Sequence, residues 1–125
     1  MLSQSIYDLA IETAQSSSSK KKVGAVLLNK SKVIITATNL ESKSHPLQAS
    51  FAIRAGLPEK IYLHAEIAAL IKCKDDVDTI VVARVNNQNK LRMAKPCPIC
   101  SLAIAESGIT SIHYTTNQGF LYEYK

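Results

Sequence analysis

Residues 78–85 read Asp-Thr-Ile-Val-Val-Ala-Arg-Val, and this stretch decides the fold class. Its β-branched residues follow one another without the alternation of a half-exposed strand, so the run predicts a strand in the middle of a sheet that is covered on both faces. On either side along the chain, the apolar segments 64–73 and 98–107 predict buried helices, the second ending at Gly108. Strands and helices that alternate in this way indicate a layered α/β domain with a mixed sheet.

The rest of the chain supplies further strands and helices. Apolar residues at helical spacing predict a first helix over 3–14. The β-rich runs 23–28 and 32–38 are separated by three residues, which predicts an antiparallel hairpin. Pro46 could open a helical turn that extends to Ile53. The strands predicted at 109–115 and 120–124 are joined by Asn117-Gln-Gly119, which is too short for a crossover and therefore makes these last two strands antiparallel.

Composition limits the classes of protein to which the chain can belong. The length of 125 residues predicts one domain, 1–125, and 46% apolar with 20% charged residues is typical of a globular protein. We expect a cytoplasmic protein without a membrane segment, because no apolar stretch could span a bilayer and no signal-peptide pattern opens the chain. The net charge of +5 favours phosphate-bearing partners, either nucleotides or nucleic acid.

Two short clusters carry the chemistry. His64-Ala65-Glu66 stands at the start of one buried helix, and Cys97 and Cys100 stand three residues apart in the first turn of the next, where the helix dipole favours thiolates. Two thiolates and one imidazole are a ligand set for Zn²⁺ that leaves a fourth position for water. Glu66 is then well placed to carry protons.

Each cluster alone has a simpler explanation. A single His-x-Glu usually marks a solvated helix start, and a single Cys-x-x-Cys can be a redox pair or half of a structural zinc site. A structural site would need a fourth protein ligand, for which His45, Cys73 or His113 is left. The occurrence of both clusters on two helix N-termini favours a catalytic zinc.

From the first helix through Tyr114, the chain resembles the cytidine and deoxycytidylate deaminase superfamily. The resemblance lies in residues 36–39 (TATN), 43–46 (KSHP), 64–70 (HAEIAAL) and 94–100 (AKPCPIC), which are similar to small phage and bacterial proteins of the deoxycytidylate-deaminase-like type. It implies a three-layer fold in which a mixed five-stranded sheet carries helices on both faces, with zinc held between two helices on one face.

The resemblance also implies roles for individual residues. His64, Cys97 and Cys100 would hold Zn²⁺, and Glu66 would carry protons between the attacking water and the base. The backbone N–H of Ala65 would bind the base carbonyl, and Asn39 would bind the sugar.

Charge and position suggest further contacts to the substrate. Lys95 and Arg92, near the cysteines, and the run Lys20 to Lys22 could bind phosphate, although a solvated basic face explains the lysine run equally well. His45 could line the rim of the pocket or be a turn residue before Pro46.

These observations predict zinc-dependent hydrolytic deamination of cytosine to uracil in a free cytidine or deoxycytidine nucleotide or nucleoside, with deoxycytidine monophosphate preferred. Two alternatives stay open: a cytosine or adenine deaminase acting on single-stranded DNA or RNA, and a non-catalytic zinc-stabilised binding module. The antiparallel last strands resemble the nucleoside branch, whereas the histidine ligand does not, so the motifs leave the substrate open. Homo-oligomerisation is compatible with the sequence.

Overall fold

The central sheet is mixed, and its strands come from both halves of the chain. The computed structural model describes residues 2–60 and 62–124. The elements in chain order are α1 (Gln4–Gln15), β1 (Lys22–Asn29), β2 (Lys32–Thr38), β3 (Leu40–Ser44), α2 (Pro46–Arg54), β4 (Tyr62–Leu63), α3 (Ala65–Lys72), β5 (Thr79–Val85), β6 (Leu91–Arg92), α4 (Pro98–Glu106), β7 (Ser111–Thr116) and β8 (Gly119–Tyr124).

Five strands form the sheet in the order β2-β1-β5-β7-β8, and the short strand β6 also pairs with β5. β5 is antiparallel to β1 and parallel to β7, and β7 and β8 form an antiparallel hairpin. The parallel pairing ends at Val82 opposite Tyr114, after which β6 pairs with Arg84 and Val85. The prediction of a mixed sheet with β5 at its centre and antiparallel last strands is therefore confirmed.

Strand alternation divides the interior into two apolar clusters. Leu27, Ile80 and Val82 face the layer that contains α2, α3 and α4. Val26 and Val81, which alternate with them, face α1 on the opposite side of the sheet. This arrangement confirms helices on both faces, and it explains why β5 has no polar face that solvent could cover.

The N-termini of the two buried helices α3 and α4 position the histidine and the cysteines of the two sequence motifs. Cys97 is the N-cap of α4 and Pro98 occupies its first turn, where the missing N–H costs nothing and the fixed φ suits a helix. Gly108 follows the C-cap with φ of +77°, as predicted for a C′ glycine. α3 begins directly after His64, so both chemical clusters lie at helix N-termini.

Three short strands, β3, β4 and β6, have no counterpart among the elements that the sequence predicts. β3 pairs with β4 in a separate two-stranded ribbon, and β6 adds a sixth strand to the main sheet. β4 and β6 contain two residues each, and β3 is exposed apart from the half-buried Leu40. Such segments have no periodic pattern that a sequence could reveal.

Candidate metal centre and catalytic cleft

The two helix N-termini bring one imidazole and two thiols into a single cluster. The Nδ1 atom of His64 lies 3.3 Å from Sγ of Cys100 and 3.6 Å from Sγ of Cys97, and the three donor atoms all lie within 4.8 Å of one another. Ligand bonds of 2.0 to 2.3 Å in a tetrahedron would place such donors roughly 3.5–3.8 Å apart. The spacing and the donor types therefore fit a zinc ion.

The charge states of the two thiols support this fit. The hydrogen bond from Cys100 lowers the pKa of the Cys97 thiol to about 4, and the hydrogen bond to His64 acts in the same direction. The same hydrogen bond and burial raise the pKa of the Cys100 thiol well above its ordinary value. Without a metal the two sulfurs thus share one proton, and a divalent cation would replace it.

Glu66 stands beside this cluster in the first turn of α3. Its side chain is buried, and burial raises the pKa of its carboxyl group. A carboxyl group with a raised pKa exchanges protons more readily near neutral pH than an exposed one does. The arrangement can therefore move protons next to a metal.

The backbone ahead of His64 is held by a buried amide. Gln48 of α2 is fully buried, and its Oε1 accepts a hydrogen bond of 3.2 Å from the His64 N–H. The ring of Tyr62 lies 5.0 Å from the His64 ring, centroid to centroid. Contacts from two elements thus fix the position of the histidine.

The cluster lies in an open cleft with a cavity volume of about 210 Å³. This volume is below the roughly 300–1,000 Å³ of common ligand pockets. The lining residues are Lys21, Val23, Asn39, Glu41, Tyr62, His64, Ala65, Glu66, Arg84, Met93, Ala94, Lys95 and Cys97.

Asn39, Ala65 and Lys95 line this cleft, as the sequence suggested, but two of them are already engaged. The Asn39 Oδ1 accepts hydrogen bonds from the Ser17 hydroxyl at 2.8 Å and the Val23 N–H at 3.2 Å, and its Nδ2 donates to the Lys21 carbonyl at 2.6 Å. One amide proton of Asn39 is left for a ligand. Lys95 forms an ion pair with Glu123 of β8, at 3.1 Å.

Arg92 and His45 lie outside the residues that line the cleft. Arg92 donates to the Leu91 carbonyl, at 3.1 Å. His45 is the N-cap of α2, and its Nδ1 accepts a hydrogen bond from the Leu47 N–H at 3.0 Å. Within the lysine run, Lys21 lines the cleft, and the Glu41 carboxylate holds the Lys20 and Lys21 N–H groups at 3.2 Å each.

Arg84, Met93, Glu41 and Tyr62 also line the cleft, although none of them is among the substrate-binding residues that the sequence indicates. A signal for Arg84 existed, because it follows Ile80 and Val82 at a spacing of two and so faces the same layer as the metal cluster. The continuous apolar run around it concealed this alternation. No comparable signal marks Glu41 of β3, Tyr62 of β4 or Met93 after β6, because these short segments have no periodic pattern of their own.

The family model described as the cytidine and deoxycytidylate deaminase zinc-binding region matches residues 2–116. This chain belongs to that family. The deaminase therefore has the family's zinc-binding region and hydrolytic class, with His64, Cys97 and Cys100 as the group that could hold the ion.

Solved structures share the fold of this deaminase. The dCMP deaminase of cyanophage S-TIM5 in its apo form matches with a TM-score of 0.55 and 22% identity over 90% of this chain and 84% of that one. The structure of the same cyanophage enzyme in complex with dCMP and dUMP matches with a TM-score of 0.55 and 22% identity over 91% and 83%. No curated protein sequence matches the deaminase.

Among the described residues, no helix is both long and apolar enough to cross a bilayer.

Proposed function

We propose that this deaminase hydrolyses the 4-amino group of cytosine in a free deoxycytidine nucleotide, with deoxycytidylate as the preferred substrate. The observation that carries the proposal is the position of Glu66, which is buried beside the His64, Cys97 and Cys100 cluster in one open cleft. In the reaction, the oxygen of a water molecule forms a bond to C4 of the base. The bond between C4 and the amino nitrogen then breaks, and ammonia leaves.

Glu66 acts as the proton carrier in this proposal. Bound Zn²⁺ would supply a water that ionises near neutral pH. The Glu66 carboxylate accepts a proton from the attacking water, delivers it to N3 of the ring and then moves a second proton to the departing amino group. The raised pKa of its carboxyl group supports these exchanges.

Two further residues orient the substrate. The N–H of Ala65 lies in the first turn of α3, where backbone donors have no acceptor within the helix, and we assign it to the carbonyl oxygen of the base. The free amide proton of Asn39 is assigned to the sugar. Because Asn39 also anchors the segment from Ser17 to Val23, its replacement would disturb the wall of the cleft as well.

A mononucleotide suits the cleft better than a nucleoside. Lys21, Arg84 and Lys95 line the cleft and contribute positive charge, which favours a substrate that carries a phosphate. A single-stranded nucleic acid would use the same chemistry, and the exposed Lys20 and Lys21 favour it as a second candidate.

The test is ammonia release by zinc-loaded protein from cytidine, deoxycytidine, their monophosphates and a short cytosine-containing single strand. Fastest turnover of deoxycytidine monophosphate is expected, and Glu66→Gln should reduce it at least about 100-fold because the proton carrier is lost. Turnover of the strand alone would overturn the mononucleotide assignment. Undiminished activity in the Glu66 variant would overturn the assigned role.

Replacement of Lys20 to Lys22 by glutamine separates the two candidate substrates. An enzyme that acts on polynucleotides should lose most of its steep salt dependence, whereas a mononucleotide enzyme should lose little. No ammonia from any of these substrates, with zinc bound and the fold intact, would favour a non-catalytic binding module.

A further inference from the structure

We propose that Arg84 determines substrate specificity by binding the 5′-phosphate of the nucleotide. This inference rests on the proposed function and names the residue that distinguishes a nucleotide from a nucleoside. The sequence pattern instead favours Lys95, Arg92 and the run Lys20 to Lys22 as phosphate contacts.

The placement of Arg84 sets it apart from the other cations of the cleft. It lies near the carboxyl end of β5, at the centre of the sheet, and on the face that packs against the metal-binding helices. Its side chain is half-buried, whereas Lys21 and Lys95 are exposed. Arginine is also better suited to a phosphate than lysine is, because its planar guanidinium presents several N–H donors in a fixed geometry and is less strongly hydrated than an ammonium group.

Among the residues that the structure describes, no carboxylate forms an ion pair with Arg84. Within residues 2–60 and 62–124, the ion pairs are Arg54 with Glu106 and Lys95 with Glu123. Arg84 therefore lines the cleft without an ion-pair partner among the described residues, so an anionic ligand can pair with its guanidinium. The phosphate is the anionic group of the proposed substrate, and its oxygens suit the bidentate geometry of arginine.

The backbone at Arg84 is held in place where strand pairing changes. The Arg84 N–H donates to the hydroxyl oxygen of Thr115 at 3.0 Å, and this hydroxyl donates to the Arg92 carbonyl at 2.7 Å. Thr115 is fully buried, and its hydroxyl links β5, β6 and β7. A rigid attachment lowers the entropy lost when the guanidinium binds a phosphate.

The experiment compares kcat and KM for deoxycytidine monophosphate and deoxycytidine in the wild type and Arg84→Gln. We expect KM for the monophosphate to rise about 10- to 100-fold, since charge-assisted hydrogen bonds contribute about 1.5–3 kcal/mol. The kcat/KM for deoxycytidine should stay within about twofold of the wild type. An equal loss on both substrates would mean a structural role and would overturn the proposal.

Two control variants sharpen the comparison. Lys90→Gln removes one positive charge from an exposed site outside the cleft and should leave both substrates unaffected. Arg92→Gln removes an arginine on the strand paired with Arg84. A rise in KM for the monophosphate in Arg92→Gln but not in Arg84→Gln would overturn the assignment.

Calorimetry of deoxyuridine monophosphate binding tests the role of Arg84 without requiring turnover, so its result can be distinguished from a failure of the proposed function. Absence of ammonia from every substrate would contradict the proposed function, whereas equal affinity of the wild type and Arg84→Gln for this product would contradict the role of Arg84. Weaker binding to Arg84→Gln, with deoxyuridine binding unchanged, is the expected result. Melting temperatures within about 3 °C of the wild type show that the variants are folded.

Discussion

At the scale of single residues, Gln48 connects α2 to the metal ligands. Its fully buried amide accepts a hydrogen bond from the His64 N–H, and its Nε2 donates to the Lys60 carbonyl at 3.5 Å. A buried amide that is hydrogen-bonded at both ends adopts one orientation. Gln48 is thus a positioning residue for the histidine ligand.

Gln48→Met should weaken both the fold and the metal centre. The substitution keeps the side-chain length but leaves the part-buried His64 N–H without its acceptor, which costs about 1–3 kcal/mol. We expect a lower urea midpoint, and competition with a chelator should show weaker zinc binding. Gln118→Met, at an exposed turn, is the matched control and should change neither. Unaltered zinc affinity in Gln48→Met would contradict the positioning role.

A second residue, His113, makes stability depend on pH. It is 2% exposed, its Nδ1 is hydrogen-bonded to the Tyr7 hydroxyl at 2.9 Å, and Tyr122 packs against its ring. Burial lowers the pKa of His113 in the folded protein. As the pH falls below about 6.5, the unfolded chain binds a proton that the folded chain resists, so the folded state loses stability.

The prediction concerns the difference between the wild type and His113→Gln. Each unit of pKa difference corresponds to about 1.4 kcal/mol, and this contribution is absent from the variant. Urea denaturation at a series of pH values should therefore show a steeper loss of stability in the wild type as the pH falls from 7.5 towards the folded-state pKa. Parallel curves for the two proteins would mean that the pKa of His113 is the same in the folded and unfolded states.

At the scale of elements, the contact between α1 and β1 depends on a glycine. A Cβ atom at Gly24 would lie 2.5 Å from the backbone nitrogen of Ala14 and 2.9 Å from atoms of Thr13. These neighbours are mainly backbone, so the helix would have to move away from the sheet. The small residue thus sets how closely α1 packs on the sheet.

Gly24→Ala should destabilise the protein by about 1–3 kcal/mol through overpacking, despite the better strand propensity of alanine. The measurement is the free energy of unfolding in urea, with circular dichroism to confirm unchanged secondary structure. Because Gly24 faces away from the metal-binding helices, zinc affinity should be preserved. Equal stability of the variant and the wild type would show that α1 shifts at no cost.

Elements with a strong periodic or continuous apolar pattern could be predicted from the sequence. The hairpin of β1 and β2, the central strand β5 and the helix that starts at Pro46 all follow from local patterns. The short strands β3, β4 and β6 depend on partners elsewhere in the chain, so their own residues do not reveal them. Tertiary pairing, rather than propensity, creates these strands.

At the scale of the whole molecule, the metal ligands join two helices that carry much of one apolar layer. His64 precedes α3, while Cys97 and Cys100 lie at the start of α4, and both helices pack into the same cluster. An ion held by all three would add stability to the folded state by mass action.

Removal of zinc should therefore lower the melting temperature. Free zinc at 100 times its dissociation constant contributes about 2.7 kcal/mol, which corresponds to roughly 10 °C for a chain of this size. Scanning calorimetry with and without a chelator measures the shift. A variant with Cys97→Ser and Cys100→Ser should not respond to the chelator. An unchanged melting temperature of the wild type would contradict metal binding at this cluster.

The metal cluster could be predicted from sequence because its ligands belong to two local motifs at helix starts. The walls of the cleft could not be predicted in this way, because they combine residues of β1, β3, β4 and β5 with Lys21, Asn39 and the connection after β6. Lys95 and Arg92 illustrate the difference: they are three positions apart in the sequence, yet only Lys95 lines the cleft. Spacing in the chain does not define which side chains share a cavity.

The ion pair between Lys95 and Glu123 connects the last strand to the charge that lines the cleft. Glu123 belongs to none of the sequence motifs, so the motifs do not reveal this connection. Glu123 is half-buried and lies between the exposed Tyr122 and Tyr124 on β8, which contains none of the metal ligands. Mutational drift at this one edge position could release or restrain a cation at the entrance. Substrate preference in such a protein can thus diverge while its signature motifs stay identical.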